Sequence, residues 1–463
     1  MLDIYKQLAA KSEDTEGTAE TLANTEAKQL VRTLQTTIEE DREQRETHRS
    51  TMTPTGSRVG TRSRSINFEA ELHGPESGTV TDSPQWSKFL EASGFRKENL
   101  KFHDPSTITS GPLIHGETLT QASSGATGRL IKTTSDGATA LYFIDLLTGT
   151  WDQVNTVTGS ISGGTYTPAD VEASHGLVWT PESHELRSMA IGAITGGPFQ
   201  DGEKITQAGN ASFVGYVYGE QATGAASIVY RHTAGAGITT QVITGATSGA
   251  TATSSAGEVA ARIPSLTMAV FEDGTKATAV GCRGRASLNL ESGKAGTLGF
   301  EFMGRDTGVV DLAMLTGIDE ERIDGPRFMG ATLSLDTFTA LLCNGLRINM
   351  QGNLVAGESA THDEGIQSYR LTGRSEFNIV LSSDRVQVGT YDFYGKWEAD
   401  TFIELDALFG TTTGNKFEIY APACQIEGES PGNRESIATQ EITLSLNSPA
   451  TGLGDDELAI IQY

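Results

Sequence analysis

Apolar side chains recur at every second residue in run after run of this chain, and that spacing is what most limits its fold. Ile66, Phe68, Ala70 and Leu72 alternate with polar neighbours, as do Leu266, Met268 and Val270, then Ala286, Leu288 and Leu290, then Leu298, Phe300 and Phe302. The pattern returns at Leu346, Ile348 and Met350, at Phe377, Ile379 and Leu381, at Phe417 and Ile419, and at Ile442, Leu444 and Leu446. Successive side chains of a strand point to opposite faces, so a period of two turns one face to a core and the other to water. Asp136-Gly137 and Asp273-Gly274 supply tight hairpin turns, where glycine takes the positive φ. The expected class is all-β.

Helix signals are few. WSKFLEASGF puts Trp86, Phe89 and Leu90 on one face, with Gly94 as the stop. TFIELDALFG reads the same way, with Phe402, Leu405, Leu408 and Phe409 on a face that ends at Gly410. The shared spacing, Trp86 to Gly94 and Phe402 to Gly410, points to a duplication. Each segment follows an alternating strand (SINFEAEL, SEFNIVL), and each is eventually followed by a strand pair (RASLNL with TLGFEF; the FEIYAPACQIEG region with QEITLSL). Repeat A is therefore expected at 1–110 and 258–310, and repeat B at 311–463. Between the two parts of repeat A lie inserted Gly- and Thr-rich β modules at 111–257. Within them GPLIHGETLTQA (111–122) matches GPFQDGEKITQA (197–208), and the repeated glycines are read as turn residues.

Residues 26–48 carry a conflict. EAKQLVRTLQTTIEEDREQRETH favours helix by propensity, with Leu30, Leu34 and Ile38 four apart. The matching segment of repeat B carries Gly345, Gly352 and Gly357, which helices tolerate badly, and this favours strand. Both readings stand at this point.

A chain of 463 residues exceeds a single core, and its formal charge of −25 repels a phosphate backbone instead of gripping it. Cys282, Cys343 and Cys424 are too widely spaced for a disulfide framework or a zinc site, and reduced thiols are expected. The N-terminal segment lacks a signal-peptide core and no run approaches the ~20 apolar residues that cross a bilayer, so aqueous cytoplasm is expected.

Catalytic patterns fail one by one. A P-loop needs Ser or Thr after Gly-Lys, but Gly293-Lys294 meets Ala295 and Gly395-Lys396 meets Trp397. His184-Glu185 has Ser188 where a second zinc-binding histidine would fall. Ser162 sits in GSISGG, read as a flexible turn, and His362-Asp363-Glu364 reads as a solvated loop. The expectation is a structural protein, not an enzyme, with no catalytic residues, cofactor or metal.

Residues 265–304 run from a strand through the Asp273-Gly274 turn to Gly281, Arg283 and Gly284, then through two alternating strands closed by Phe300 and Phe302. This order resembles a stretch of the tail tube proteins of long-tailed bacteriophages. SINFEAELHG followed by PQWSKFLEASGF is similar to the strand-then-helix unit of that family, with Glu71, Leu72, Trp86, Leu90 and Gly94 at the expected positions. Together these segments cover about a third of the chain.

The resemblance implies β-sandwich/barrel tube domains with short flanking helices, six to a ring. Two domains per chain then imply trimeric, pseudo-hexameric rings that stack into a virion tail tube, assembled in the host cytoplasm and serving as the conduit for genome ejection. Implied partners are other copies of the chain, tape-measure protein and DNA passing through the lumen, and tail terminator and tail-tip proteins at the ends, with no membrane binding. The inserted modules are expected to face outward. For ring stacking the candidates are Glu39, Glu40, Asp41, Arg42, Glu43, Arg45, Glu46 and Arg49, with Glu358 and Asp363 in repeat B. The rival reading is a phage tail spike, fibre or other receptor-binding β-rich virion protein.

Overall fold

The computed structural model describes residues 6–13, 16–43, 56–110, 113–122, 126–133, 141–145, 151–183, 186–200, 203–217, 225, 227–234, 237–260, 263–336, 338–449 and 454–463. Among the described residues the fold is all-β with two short α-helices. Repeat A opens with β1 (Lys6–Ser12), β2 (Val31–Glu43), β3 (Arg58–Glu71) and α1 (Ser87–Ala92). An insertion follows: β4 (Phe95–Ser110), β5 (Thr118–Gln121), β6 (Thr127–Thr133), β7 (Leu141–Asp145), β8 (Val157–Gly159), β9 (Thr165–Pro181), β10 (Leu186–Ile191), β11 (Lys204–Gln207), β12 (Asn210–Val217), β13 (Ser227–Ala234), β14 (Val242–Gly245) and β15 (Thr251–Ala260). Repeat A resumes with β16 (Leu266–Glu272), β17 (Thr275–Glu291) and β18 (Thr297–Asp311). Repeat B comprises β19 (Thr332–Leu335), β20 (Cys343–Glu358), β21 (Ile366–Asp384), α2 (Phe393–Glu398), β22 (Phe402–Thr412), β23 (Asn415–Arg434) and β24 (Ile437–Leu446), and β25 (Ala459–Gln462) is appended.

Strand pairing gives the two parts the same order. Repeat A is ordered β2-β3-β18-β17-β16-β1 and repeat B β20-β21-β24-β23-β22-β19, every pair antiparallel. Each repeat thus has a first hairpin, a helix, one strand and a last hairpin, and β1 corresponds to β19, β16 to β22 and α1 to α2. The two repeats are joined where the C-terminal half of β17 pairs with β20, from Ala286 opposite Met350 to Glu291 opposite Gly345.

That correspondence corrects the second expected helix. TFIELDALFG is strand β22, in which Ile403, Leu405, Ala407 and Phe409 alternate into the core while Phe402 is exposed. The period-two reading of the same residues buries four apolar side chains between β19 and β23, which outweighs the helical face. The helix lies eight residues earlier in FYGKWE, where the Asp392 carboxylate accepts from the Gly395 N–H at 2.7 Å. The first helix stands as expected, with Trp86, Phe89 and Leu90 buried and Gly94 at φ +94°.

The conflict over 26–48 resolves mostly to strand. A 3-10 turn at Asn24–Ala27 leads into β2, and residues 44–48 lie outside the described residues. Leu34 is buried but Leu30 and Ile38 are exposed, so the helical stripe has no core to face. The Asp273-Gly274 turn closes β16 onto β17 with φ of +28° and +96°, whereas Asp136-Gly137 lies outside the described residues.

On the apolar face of the sheet, α1 packs through Phe89, whose ring lies 4.9 Å from Phe68 and 5.6 Å from Phe300. Burying each such ring contributes about 1.5–3 kcal/mol. Trp86 packs against Trp179 of the insertion, the rings tilted with centroids 4.7 Å apart.

The insertion starts at the end of α1, earlier than the expected 111, because β4 pairs with β7 and β9 and not with repeat A. It forms two small barrels of one topology. β4-β7-β6-β5-β8-β9 closes back on β4, and β10-β13-β12-β11-β14-β15 closes back on β10. The first barrel is tied into repeat B, since β25 pairs with both β9 and β23. The second has its own core around Met189, Phe199, Phe213, Ile228, Tyr230 and Ile243.

Candidate assembly surfaces

The strands β2, β3, β18 and the C-terminal half of β17 continue through β20, β21 and β24 to the far half of β23, one eight-stranded sheet contributed by both repeats. Alternation sends Phe68, Phe300, Leu288, Ile348, Ile379 and Leu444 into the core. The opposite face is mostly polar, with Val380 and Met303 as half-buried apolar members. Across it runs a register row of small or uncharged residues, Gly299, Ser287, Asn349, Asn378 and Ser445, in which Asn349 donates to Asn378 at 2.8 Å. The row continues from Gly299 into Glu69 and Arg32, and beside it stand Glu301, Glu376 and Glu441, with Arg285 and Arg347 as the opposing charges.

Both ends of this sheet have one strand partner only among the described residues. β2 pairs with β3 alone, and β23 beyond Gln425 pairs with β24 alone. Residues 427–434 leave their side chains exposed or half-buried. β23 carries Pro431 there, a residue that sheets accept at edges because it has no N–H for a ladder.

The internal seam shows how one repeat receives the next. Beyond the β17–β20 ladder, the outer half of the β20–β21 hairpin lies over repeat A. Arg283 donates to the Tyr369 carbonyl at 2.6 Å, Arg62 N–H donates to the Glu364 carbonyl at 3.1 Å, and Glu16 accepts from both Arg283 and Ser368. Burial against this seam pushes the Tyr369 hydroxyl pKa up.

Of the residues expected to stack rings, Glu39, Glu40, Asp41, Arg42 and Glu43 lie exposed on the outer half of β2, and Arg42 pairs with Glu40 at 2.7 Å. Arg45, Glu46 and Arg49 lie outside the described residues. Glu358 ends β20 and Asp363 sits in the tip of the β20–β21 hairpin, whose Gly365 approaches Thr61 of β3. The two hairpins therefore converge on one side of the molecule.

The repeated motifs of the insertion are structural and closely matched. Glu117 accepts from the N–H groups of Ile114, Ile161 and Ser162, and Glu203 from those of Gln200, Thr247 and Ser248. A Cβ added at Gly159 or Gly245 would come within 2.6 Å of these carboxylates, which is why glycine stands at both positions. The GSISGG turn is thus pinned from inside the barrel, a correction to its reading as flexible. Sequence reading found the first half of the repeat and missed the second, TGSISGG at 158–164 against TGATSGA at 244–250, although the same 86-residue offset (117 to 203, 159 to 245) would have located it.

A charged cluster fixes the first barrel to repeat B. Lys132 of β6 donates to Asp406 of β22 and Glu418 of β23, and Glu418 also accepts from the Tyr463 hydroxyl. Burial, reinforced by the nearby Glu418 carboxylate, pushes Asp406 up to about 7. Glu418 is held below the usual range, since Lys132 and the hydrogen bonds outweigh its burial. Cys282 and Cys424 are buried with raised thiol pKa values, and Cys343 is half-buried. Among the described residues no group of three or more His, Cys, Asp or Glu side chains is arranged to hold a metal ion.

Neither a family model nor a curated protein matches this sequence.

Proposed function

We propose that this protein is a structural subunit of a phage-type tail tube, in which three copies close a ring and rings stack around a lumen. The observation that carries the reading is the paired topology of the two repeats, with one seam closed inside the chain and the two complementary edges left at opposite ends of the sheet. An open sheet edge is a hazard in isolation, and closure into a ring removes it. The same seam repeated between copies gives alternating internal and external junctions of one kind, hence pseudo-sixfold rings from three chains.

The polar sheet face supports a luminal role. Uncharged Ser287, Asn349, Asn378 and Ser445 flanked by carboxylates offer a polyanion few favourable phosphate contacts, in keeping with the net charge of −25. The converging hairpins, which carry Glu39, Glu40, Asp41, Arg42, Glu43, Glu358 and Asp363, are the proposed ring-to-ring contacts. Exposed ion pairs contribute only about 0–1 kcal/mol each, so stacking through them depends on repetition around the ring.

Negative-stain microscopy of the purified protein over a concentration series tests the reading. Stacked three-lobed rings with a central hole are the expected result. Elongated trimers would replace it with the receptor-binding spike, and compact monomers at every concentration would remove it.

A further inference from the structure

We infer that the exposed aromatic side chains of Tyr394 and Trp397 on α2 of repeat B, with Phe402 at the start of β22, are the seat for the outer half of the β2–β3 hairpin of a second copy. The inference rests on the ring reading and specifies its intermolecular seam. Tyr394, Trp397 and Phe402 are 59%, 45% and 57% exposed, and the first two rings lie 5.6 Å apart. Thr401 N–H donates to the Lys396 carbonyl, which turns the chain back so that Phe402 begins the next strand beside the helix.

In repeat A the surface just past the helix is occupied. There Phe95, three residues past the end of α1 where Phe402 is four past the end of α2, opens β4 and is buried, its ring 6.4 Å from Phe377 of β21 in repeat B. Leu371 of the same hairpin covers Gly94, its Cδ1 3.3 Å from where a Cβ would stand. Inside one chain, then, the surface just past the helix of one repeat is covered by the first hairpin of the other.

The hairpin that would cover the surface past α2 is therefore a β2–β3 hairpin, the counterpart of β20–β21. It cannot come from the same molecule, because β2 and the free half of β23 are at opposite ends of the sheet. The β2–β3 hairpin also presents exposed apolar groups, Ile38 at 43% and Val59 at 49%. Two apolar surfaces, each exposed in the single chain and lying beside the two free edges of the sheet, make a head-to-tail contact in which residues 426–434 of one copy meet β2 of the next.

The tests are assembly-coupled quenching and complementation between variants. Trp86 and Trp179 are buried and Trp151 is half-buried, so Trp397 supplies the most accessible tryptophan signal, identified by its loss in Trp397→Phe. Acrylamide is expected to quench it in the dilute monomer and to lose access on ring formation.

Trp397→Lys with Phe402→Lys, and separately Ile38→Lys with Val59→Lys, are each expected to weaken self-association about tenfold or more while leaving the monomer's circular dichroism unchanged. Mixed, the two variants retain one intact pair of surfaces and are expected to form one-to-one dimers by sedimentation velocity, which neither forms alone. Rings of the unaltered protein in which Trp397 stays quenchable, or mixtures that stay monomeric, would overturn the seat and leave the ring reading in place. Absence of rings from the unaltered protein at every concentration would overturn both.

Discussion

Asp406 shows how much chemistry can sit in a position that carries no motif. It lies between Glu418 and Lys132, which arrive from two different parts of the chain, and burial beside another carboxylate makes it bind its proton unusually tightly. The unfolded chain binds that proton with an ordinary value near 4. A folded-state pKa above the unfolded one means that this group's contribution is intact below about 4 and is lost as pH rises to about 7. The protein is therefore expected to lose stability between pH 5 and pH 8 more steeply than Asp406→Asn, as read from denaturant midpoints at the two values. Equal slopes would mean that the cluster does not titrate as a unit. None of this was legible in sequence, because Lys132 and Asp406 are brought together only by the docking of the first barrel. The repeated Glu117 and Glu203 were visible as letters, but their work as acceptors inside turns depends on loops more than forty residues further on.

At the level of elements, legibility followed whether period and propensity agreed. The strands with clean alternation, such as β3, β17 and β18, were readable because every second residue has a core to enter. TFIELDALFG satisfied two periods at once, and only the pairing of β22 with β19 and β23 decides between them. Residues of β2 had the propensity of a helix, and the sheet edge overrode it. The two helices, similar in length, differ in what they bury, and this gives a sharp contrast. Phe89→Ala in α1 removes a ring packed among Phe68, Phe300 and Phe302 and is expected to cost about 3–5 kcal/mol of monomer stability. Tyr394→Ala in α2 removes an exposed ring and should change monomer stability by no more than about 0.5 kcal/mol. Urea unfolding of both variants at a concentration below assembly checks the pair, and similar losses would mean that α2 is packed as tightly as α1.

Across the whole molecule the insertion divides into a part that is built in and a part that hangs on. The first barrel shares strand β9 with β25 and a charged cluster with repeat B, so removing it would strip a strand partner and leave Asp406 and Glu418 without Lys132. Among the described residues the second barrel pairs no strand with anything outside itself, and Arg187 and Ala260, near its entry and exit, are direct cross-strand neighbours. A Gly-Ser bridge of a few residues can therefore replace residues 187–260 without stretching the chain, because loop closure over so short a gap costs little. Domains of this size are marginal but able to fold alone when their core is closed, and this one buries Phe199, Phe213, Tyr230 and Met189 within a sealed barrel. The shortened chain is expected to keep the thermal midpoint of the remaining body within a few degrees and to form the same assemblies, while the excised barrel alone gives a cooperative melt and dispersed amide resonances. Loss of assembly on excision, with the body still folded, would place the second barrel in the contacts between subunits and overturn the expectation that it faces outward.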